Sequence, residues 1–303
     1  MKKISDIFDS IKATERRTIA VASAQSDEVL TSVRAAYDEG IVNAVLVGDR
    51  DKIHYVASRN SIDISPFELV EAPDDETSAD IATRLVSQGD ADMIMKGLLP
   101  TPLFLKAILN PEKKLRNEDG LITALPFFEV PQLDRLLFIS DPGFIPAPDL
   151  ETKKKMIEIG VSILRKMKID TPKVALVCAA ETVSPKIPST VDAKTLEDLN
   201  KSGEIKNCIV GGPMSLDLAI SETSAEHKGY HHPIAGKADL LIAPNIEAAN
   251  IFYKAMTYLG GYRTVGLMVG AAKPIIMTSR TDSAETKLNT IAIAVYLAGA
   301  EEV

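Results

Sequence analysis

The chain of 303 residues has no tryptophan, only two cysteines and 5% aromatic residues. So few rings argue against stacking on bases or sugars as the mode of binding. Positive charge is also short: 34 Lys plus Arg stand against 42 Asp plus Glu, a formal charge of −8. That deficit excludes a general nucleic-acid binder, which needs a basic footprint. It leaves room for a local basic pocket that takes an anionic small molecule. No run of about 18 uncharged apolar residues occurs, so no transmembrane helix and no membrane partner is expected. The opening Met1-Lys-Lys-Ile-Ser-Asp-Ile-Phe8 carries an acid and no long apolar segment, and does not read as a signal peptide. A cytoplasmic protein is expected. Cys178 and Cys208 each sit in an apolar run and read as buried thiols in a reducing compartment, with a catalytic thiol as the alternative.

Apolar residues make up 46% of the chain and charged residues 25%, as in ordinary globular proteins. The length suggests two domains at ~100–200 residues each. Short β-branched runs alternate with longer amphipathic stretches. Thr18–Ala22, Val42–Val47, Phe67–Glu71 and Asp92–Met95 read as strands, with helices over Asp27–Glu39, 49–59 and Thr77–Gln88. The rhythm returns with strands at Lys173–Cys178, Asn207–Val210, Asp239–Ala243 and Pro274–Thr278, and helices at Glu151–Met167, Ser189–Asn200, Ile246–Leu259 and Ala284–Ala298. Such alternation signals parallel β-α-β units. Between the two series, Leu121–Val130 and Arg135–Ser140 read as an antiparallel pair turning at Pro131, followed by a linker over Asp141–Pro148. Two α/β lobes with a cleft between them are expected, and such clefts are favoured ligand sites.

Four stretches carry chemistry. In Lys96-Gly-Leu-Leu-Pro-Thr-Pro102, Thr101 suits an N-cap and Pro102 the first helical position. Lys96 then stands at a strand's carboxyl end beside a helix N-terminus, an anion site by geometry, with Lys106 one turn along; a plain strand–helix turn with solvated lysines is the alternative. In Pro274-Ile-Ile-Met-Thr-Ser-Arg-Thr-Asp-Ser-Ala-Glu285, an apolar strand ends in Ser279-Arg280. A guanidinium there can hold phosphate bidentately. Asp282 with Glu285 fits a capping box. Gly211-Gly-Pro-Met-Ser-Leu-Asp217 follows a strand, and its glycines allow close approach of backbone to a ligand. Asn250 and Lys254 share one helical face. His227, His231 and His232 lie in a polar stretch with no completing Cys or carboxylate set, so a solvated loop is expected rather than a metal site. Neither Walker A nor Gly-x-Gly-x-x-Gly is present.

Taken in order, Met95-Lys-Gly-Leu98, Phe104–Asn110, Asp134-Arg-Leu-Leu-Phe138, Pro185-Lys-Ile-Pro-Ser-Thr190, Gly212-Pro-Met-Ser-Leu-Asp-Leu-Ala219, Gly236–Glu247, Asn250-Ile-Phe-Tyr-Lys254 and Ser279-Arg280 through Lys287 resemble the phosphate acetyl/butyryl transferase family. The likeness runs from about Ala20 to the C-terminus and is nearest the family's butyryl branch. It implies an isocitrate/isopropylmalate-dehydrogenase-like fold whose last helix returns to the first lobe, so the lobes divide as 1–143 with 282–303, and 144–281. It also implies a homodimer or higher homo-oligomer that exchanges an acyl group between coenzyme A and inorganic phosphate, with coenzyme A as substrate and no other cofactor or metal. The family's Ser-Arg pair falls on Ser279 and Arg280. A basic residue of the next helix falls on Lys106, where arginine is usual, and Arg116 lies where relatives also carry a basic side chain. The sequence departs at Gly211-Gly212-Pro213, where Asp-Gly-Pro is usual, at Ala249-Asn250, and near Thr286, where the acetyl branch carries an acid.

The expected catalytic residues are Ser279, Arg280 and Asp282. The expected substrate contacts are Lys96, Gly97, Thr101, Lys106, Arg116, Gly212, Pro213, Asn250 and Lys254. Asp282 and Glu285 are candidate acceptors for the coenzyme A thiol proton. The alternatives are acetyl specificity, a metal-dependent dehydrogenase of the same fold, and a non-catalytic acyl-CoA binder.

Overall fold

The structure, a computed structural model, describes residues 1–12, 14–116 and 120–300. Its elements open with α1 (Ile4–Ile11), β1 (Arg17–Ala22), α2 (Asp27–Asp38), β2 (Val42–Gly48), α3 (Arg50–Arg59), β3 (Glu68–Glu71), α4 (Asp75–Gln88), β4 (Met93–Lys96) and α5 (Thr101–Ile108). There follow β5 (Thr123–Ala124), β6 (Phe127–Val130), β7 (Arg135–Ser140), α6 (Leu150–Lys166), β8 (Lys173–Val177), α7 (Pro188–Lys201) and β9 (Ile209–Met214). The chain ends with α8 (Leu216–Ile220), α9 (Glu222–His227), β10 (Leu240–Ile242), α10 (Ile246–Lys254), β11 (Arg263–Val265), β12 (Leu267–Val269), β13 (Ile275–Ile276) and α11 (Ala284–Gly299). No helix among the described residues is long and apolar enough to cross a membrane.

The chain separates into two units, each with its own mixed sheet. The first comprises Ile4–Ile122 and Val265–Ala300. Its strands run β3-β2-β1-β4-β13-β12, parallel except for β12 against β13. Strands β1 and β4 carry apolar runs buried on both faces, as a central parallel sheet requires (Ile19, Ala20, Val21 and Met93, Ile94, Met95 are all buried). The chain winds outward from β1 to β2 and β3, then returns to place β4 on the other side of β1. That reversal is a topological switch point, where the loops leaving the strands' carboxyl ends diverge and open a crevice.

The second unit takes Thr123–Thr264 with Met1–Lys3. Its sheet runs β11-β6-β7-β10-β8-β9. β6 and β7 form the expected hairpin, with Phe127 opposite Phe138 and Val130 opposite Arg135, turned by the short helical segment Pro131–Leu133. β10 pairs in parallel with both β7 and β8. Phe128, Leu137, Ile139, Met214, Leu241 and Tyr253 anchor its core.

These units divide after Ile122 and Thr264, not at the expected 143 and 281. Pairing decides the difference: the hairpin β6–β7 joins β10, and β12–β13 join β4. The segment expected as a linker begins inside the second unit. There Asp141 is buried and accepts from Thr123 Oγ1 (2.7 Å) and from the backbone N–H groups of Ala124 (3.0 Å), Gly143 (2.7 Å) and Phe144 (2.9 Å). Burial raises the pKa of this carboxyl, opposed by those donors. Asp141→Ala strands several buried donors at about 1–3 kcal/mol each, partly recovered by water. It should therefore destabilise the protein by roughly 3 kcal/mol in denaturant unfolding, and a loss under about 0.5 kcal/mol would contradict this role.

Candidate active site

The crevice of the first unit is built where β1, β4 and β13 end side by side. Ala22 pairs with Lys96, and Ile276 with Met95. Beyond Lys96 the chain must pass the end of β1 closely. Gly97 N donates to Ala22 O and Leu98 N to Ser23 O, both at 2.8 Å. A Cβ on Gly97 would lie 2.2 Å from Ser23 O, so only glycine fits. Ser23 itself is buried with φ 52°, and its hydroxyl donates to Asp75 Oδ1 at 2.7 Å. Thus the turn that presents Lys96 is braced by the turn that ends β1.

Lys96 is 3% exposed. Its one hydrogen bond among the described residues is a 3.3 Å contact to Gly97 O. Burial, with Arg280 and Lys287 nearby, pulls its pKa from 10.5 down to about 8, while Asp75 pulls the other way. An ammonium this poorly partnered beside two further cations marks a place that an anion completes.

The stretch after β13 is knotted on itself. Ser279 N donates to Asp282 Oδ2 at 2.7 Å and Asp282 N to Ser279 O at 3.1 Å. Ser279 Oγ lies 3.1 Å from Thr281 Oγ1. Asp282 is buried, and Arg280 projects from the turn into solvent. Asp282 does not cap the following helix as a capping box requires. Ser283 does, accepting from Thr286 N at 3.1 Å. The helix starts one residue later than the Asp282–Glu285 spacing suggests, because the Asp282 carboxylate is turned back to Ser279.

Lys287, one turn into α11, was missed by sequence reasoning. It is 3% exposed and donates to the carbonyl oxygens of both Ser279 (3.3 Å) and Asp282. Its burial lowers its pKa, opposed by Asp282, Glu28 and Asp27. The signal was present: Lys287 lies on the same apolar helical face as buried Ile291, Ala294 and Val295. Two buried polar atoms also mark the strand ends. Among the described residues, Gln25 Oε1 after β1 and Thr278 Oγ1 after β13 have no hydrogen-bond partner.

The remaining candidates fall elsewhere. Thr101 opens α5 but does not cap it; Pro100 takes the cap position with its extended backbone. Lys106 is exposed on α5 and paired with Glu76 Oε1 of α4 at 2.7 Å. Arg116 is exposed, bridges Ala271 and donates to Gly120 O at 2.7 Å. Gly212, Pro213, Asn250 and Lys254 belong to the second unit. Gly212 and Pro213 are buried inside the edge strand β9, where the register to β8 shifts, and do not form a loop after it. A Cβ on Gly211 would meet the His232 ring at 2.4 Å, and one on Gly212 the Leu176 Cβ at 2.7 Å. The two glycines therefore serve internal packing. Asn250 donates to Pro142 O at 2.9 Å, and the Lys254 ammonium stands 5.2 Å and 5.3 Å from the Tyr253 and Tyr258 ring centres.

His227 closes α9 and is not in a loop, and His232 Nε2 stands 3.2 Å from Glu197 Oε1. Among the described residues no group of three or more His, Cys, Asp or Glu is placed to hold a metal. Burial raises the pKa of both Cys178 and Cys208, the latter to about 11, so neither is primed as a nucleophile.

Comparison with known proteins agrees on one family. The family model described as phosphate acetyl/butaryl transferase matches residues 3–81 and 76–295. The phosphate butyryltransferase of Clostridium acetobutylicum is 42% identical over 299 residues, 99% of each chain. The phosphate acetyltransferase of Thermotoga maritima is 39% identical over 282 residues, 93% of this chain and 95% of that one. The crystal structure of a branched-chain phosphotransacylase from Enterococcus faecalis superposes with a TM-score of 0.83 at 30% identity, covering 94% of this chain and all of that one.

The lowered pKa of Lys96 gives a test of the site's electrostatics. Between about 8 and 10.5 the unfolded chain holds a proton that the folded site releases, so Lys96 makes stability rise with pH across that window. Lys96→Met should stabilise the ligand-free protein at pH 7 by about 1–3 kcal/mol, with the gain fading as pH passes from 8 towards 10. Denaturant unfolding over that range checks it. A destabilised Lys96→Met with the pH slope intact would show that the lysine is not strained there.

Proposed function

This chain belongs to the phosphate acetyl/butaryl transferase family, and from that premise we propose that it exchanges a short acyl group, butyryl or branched-chain, between coenzyme A and inorganic phosphate. The observation that carries this reading is the gathering of Lys96, Arg280 and Lys287 where β1, β4 and β13 end, around a buried lysine that makes one 3.3 Å hydrogen bond among the described residues. Relatives named for butyryl, acetyl and branched-chain transfer support the substrate class. The fold reading that accompanies it is the isocitrate/isopropylmalate-dehydrogenase-like pair of α/β lobes, supported by two units that each carry a mixed sheet.

In the proposed reaction, phosphate is held by Arg280 through a bidentate contact and by a hydrogen bond from the Lys96 Nζ, with Gly97 and Thr101 shaping the turn beside them. The Ser279 hydroxyl donates to the acyl oxygen as it becomes an oxyanion, a contribution of roughly 3–4 kcal/mol for a well-placed donor. Asp282 fixes the Ser279 backbone through its 2.7 Å contact, so that hydroxyl is positioned before substrate arrives. Lys106 and Arg116 meet the charged outer parts of the substrates, Lys106 by exchanging Glu76 for them. In the second unit Asn250 and Lys254 are kept as coenzyme A contacts, and Gly212 and Pro213 as residues that shape their surroundings. Sulfur or a phosphate oxygen attacks the acyl carbon directly, one proton passes between thiol and phosphate, and placing the two anions together supplies most of the acceleration. The reaction as written takes coenzyme A as substrate and calls on no resident metal. Ile251, Tyr258 and Leu259, exposed on and just beyond α10, support the accompanying proposal of a homo-oligomer.

Acyl-CoA and phosphate should yield free thiol in a thiol-reagent assay. An acetyl-to-hexanoyl series should peak at butyryl or isovaleryl, falling about tenfold or more per misfit methylene. Tight coenzyme A binding without thiol release from any short acyl-CoA would make the protein a binder. Arg280→Ala should raise the phosphate KM or cut kcat by roughly 10–100-fold, the worth of a charged hydrogen bond. Unchanged steady-state kinetics would take Arg280 out of the anion site.

A further inference from the structure

The exchange moves one proton between the coenzyme A thiol and phosphate, and the charged groups of the crevice can be sorted by whether they are able to carry it. Asp282 is buried, its Oδ2 accepts from Ser279 N at 2.7 Å and its Oδ1 makes no hydrogen bond among the described residues, so the carboxylate is turned into the loop as its brace. Arg280, exposed on the turn, has its guanidinium assigned to the phosphate. Lys287 gives N–H groups to the carbonyl oxygens of Ser279 and Asp282, and although burial lowers its pKa, the carboxylates of Asp282, Glu28 and Asp27 favour its charge. Glu285 is exposed on the first turn of α11.

Lys96 is as buried as Lys287 but less well held. It is the buried end of β4, among the described residues it makes a single 3.3 Å hydrogen bond, to its neighbour's carbonyl, and Asp75, the carboxylate there that favours its charge, already accepts from Ser23 Oγ. Arg280 from the turn after β13 and Lys287 from α11 press on it as like charges. Its amine is therefore the group in the cluster that gives up a proton while Arg280 holds the phosphate and Lys287 holds the loop after β13. Its pKa of about 8 also sits close to the ~8.5 of a free thiol, the match that efficient proton transfer needs.

Resting on the acyl-exchange reading, we propose that Lys96 is the acid–base group of the reaction, shuttling the proton between the thiol and the phosphate oxygen. From acyl phosphate, the neutral Lys96 amine takes the S–H proton as sulfur attacks the acyl carbon. The C–S bond forms, the C–O bond to phosphate breaks, and the Lys96 ammonium returns the proton to the departing oxygen, so hydrogen phosphate leaves. The reverse reaction retraces these steps: the amine takes the proton of hydrogen phosphate and the ammonium protonates the leaving thiolate.

The test uses the intact protein in the acyl-CoA plus phosphate direction, where no substrate thiol titrates. Wild-type kcat should rise with pH through about 8 and then level off. Lys96→Arg keeps the charge but not the exchangeable proton. It should retain cooperative unfolding and a phosphate KM within about threefold, lose kcat by roughly 10²–10⁴-fold and lose the arm near 8. Lys96→Ala should regain activity with added methylamine or ethanolamine, in proportion to the amine's basicity. Lys96→Arg within about threefold of wild-type kcat, with its pH arm intact, overturns the proposal and leaves Lys96 as a fixed charge. So does an Ala variant that binds phosphate and unfolds cooperatively yet gains nothing from amines. A wild-type protein that exchanges no acyl group removes the reaction itself, a result read before any variant is made.

Discussion

The parallel pairing of β1 with β4 is the contact from which the site follows. It sets Ala22 beside Lys96 and brings two chain turns to within backbone hydrogen-bonding distance. Neither turn holds alone: Ser23 is in a left-handed conformation and Gly97 has no room for a side chain. Each supplies what the other lacks, carbonyl acceptors from the β1 end and N–H donors from the β4 end. The result is a lysine fixed at a switch point, where a parallel sheet leaves its crevice.

Holding that lysine there is unfavourable in the absence of ligand. A buried cation with one weak hydrogen bond and two cationic neighbours has lost water without gaining a partner. The loop after β13 shows the opposite treatment of charge. There the Asp282 carboxylate, the Ser279 backbone and the Lys287 ammonium satisfy one another, and the turn is rigid before any substrate binds. The site thus combines a loop braced by its own hydrogen bonds with a lysine that has almost none. The acidity of the chain as a whole does not conflict with this, because the cations are gathered locally.

Much of the arrangement was legible in the sequence. Alternating apolar runs and amphipathic stretches gave the order of strands and helices, because burial of parallel strands leaves an unmistakable pattern in Ile, Val, Ala and Met. The antiparallel hairpin about Pro131 was legible from two short apolar runs on either side of a proline turn. Short-range signals were less dependable. Asp282 and Glu285 have capping-box spacing, yet Ser283 caps α11 because the carboxylate has a better use three residues back. Gly211-Gly212-Pro213 looked like a ligand loop and is interior strand, its glycines cleared for the His232 ring and Leu176.

What the sequence by itself determined is the kind of protein: residue types in a given order, with Lys96, Ser279 and Arg280 each at the end of an apolar strand. Local chemistry suffices for that, since a strand's burial and a turn's composition are properties of neighbouring residues. What only the tertiary structure decided is which charges meet. Lys287 lies far from Lys96 in the chain, and the β4–β13 pairing with the start of α11 brings the two within electrostatic reach. Lys106, expected beside them, is turned to Glu76 on the surface. Desolvation and the sum of charges around one ammonium depend on every element packed against it, and so on the fold.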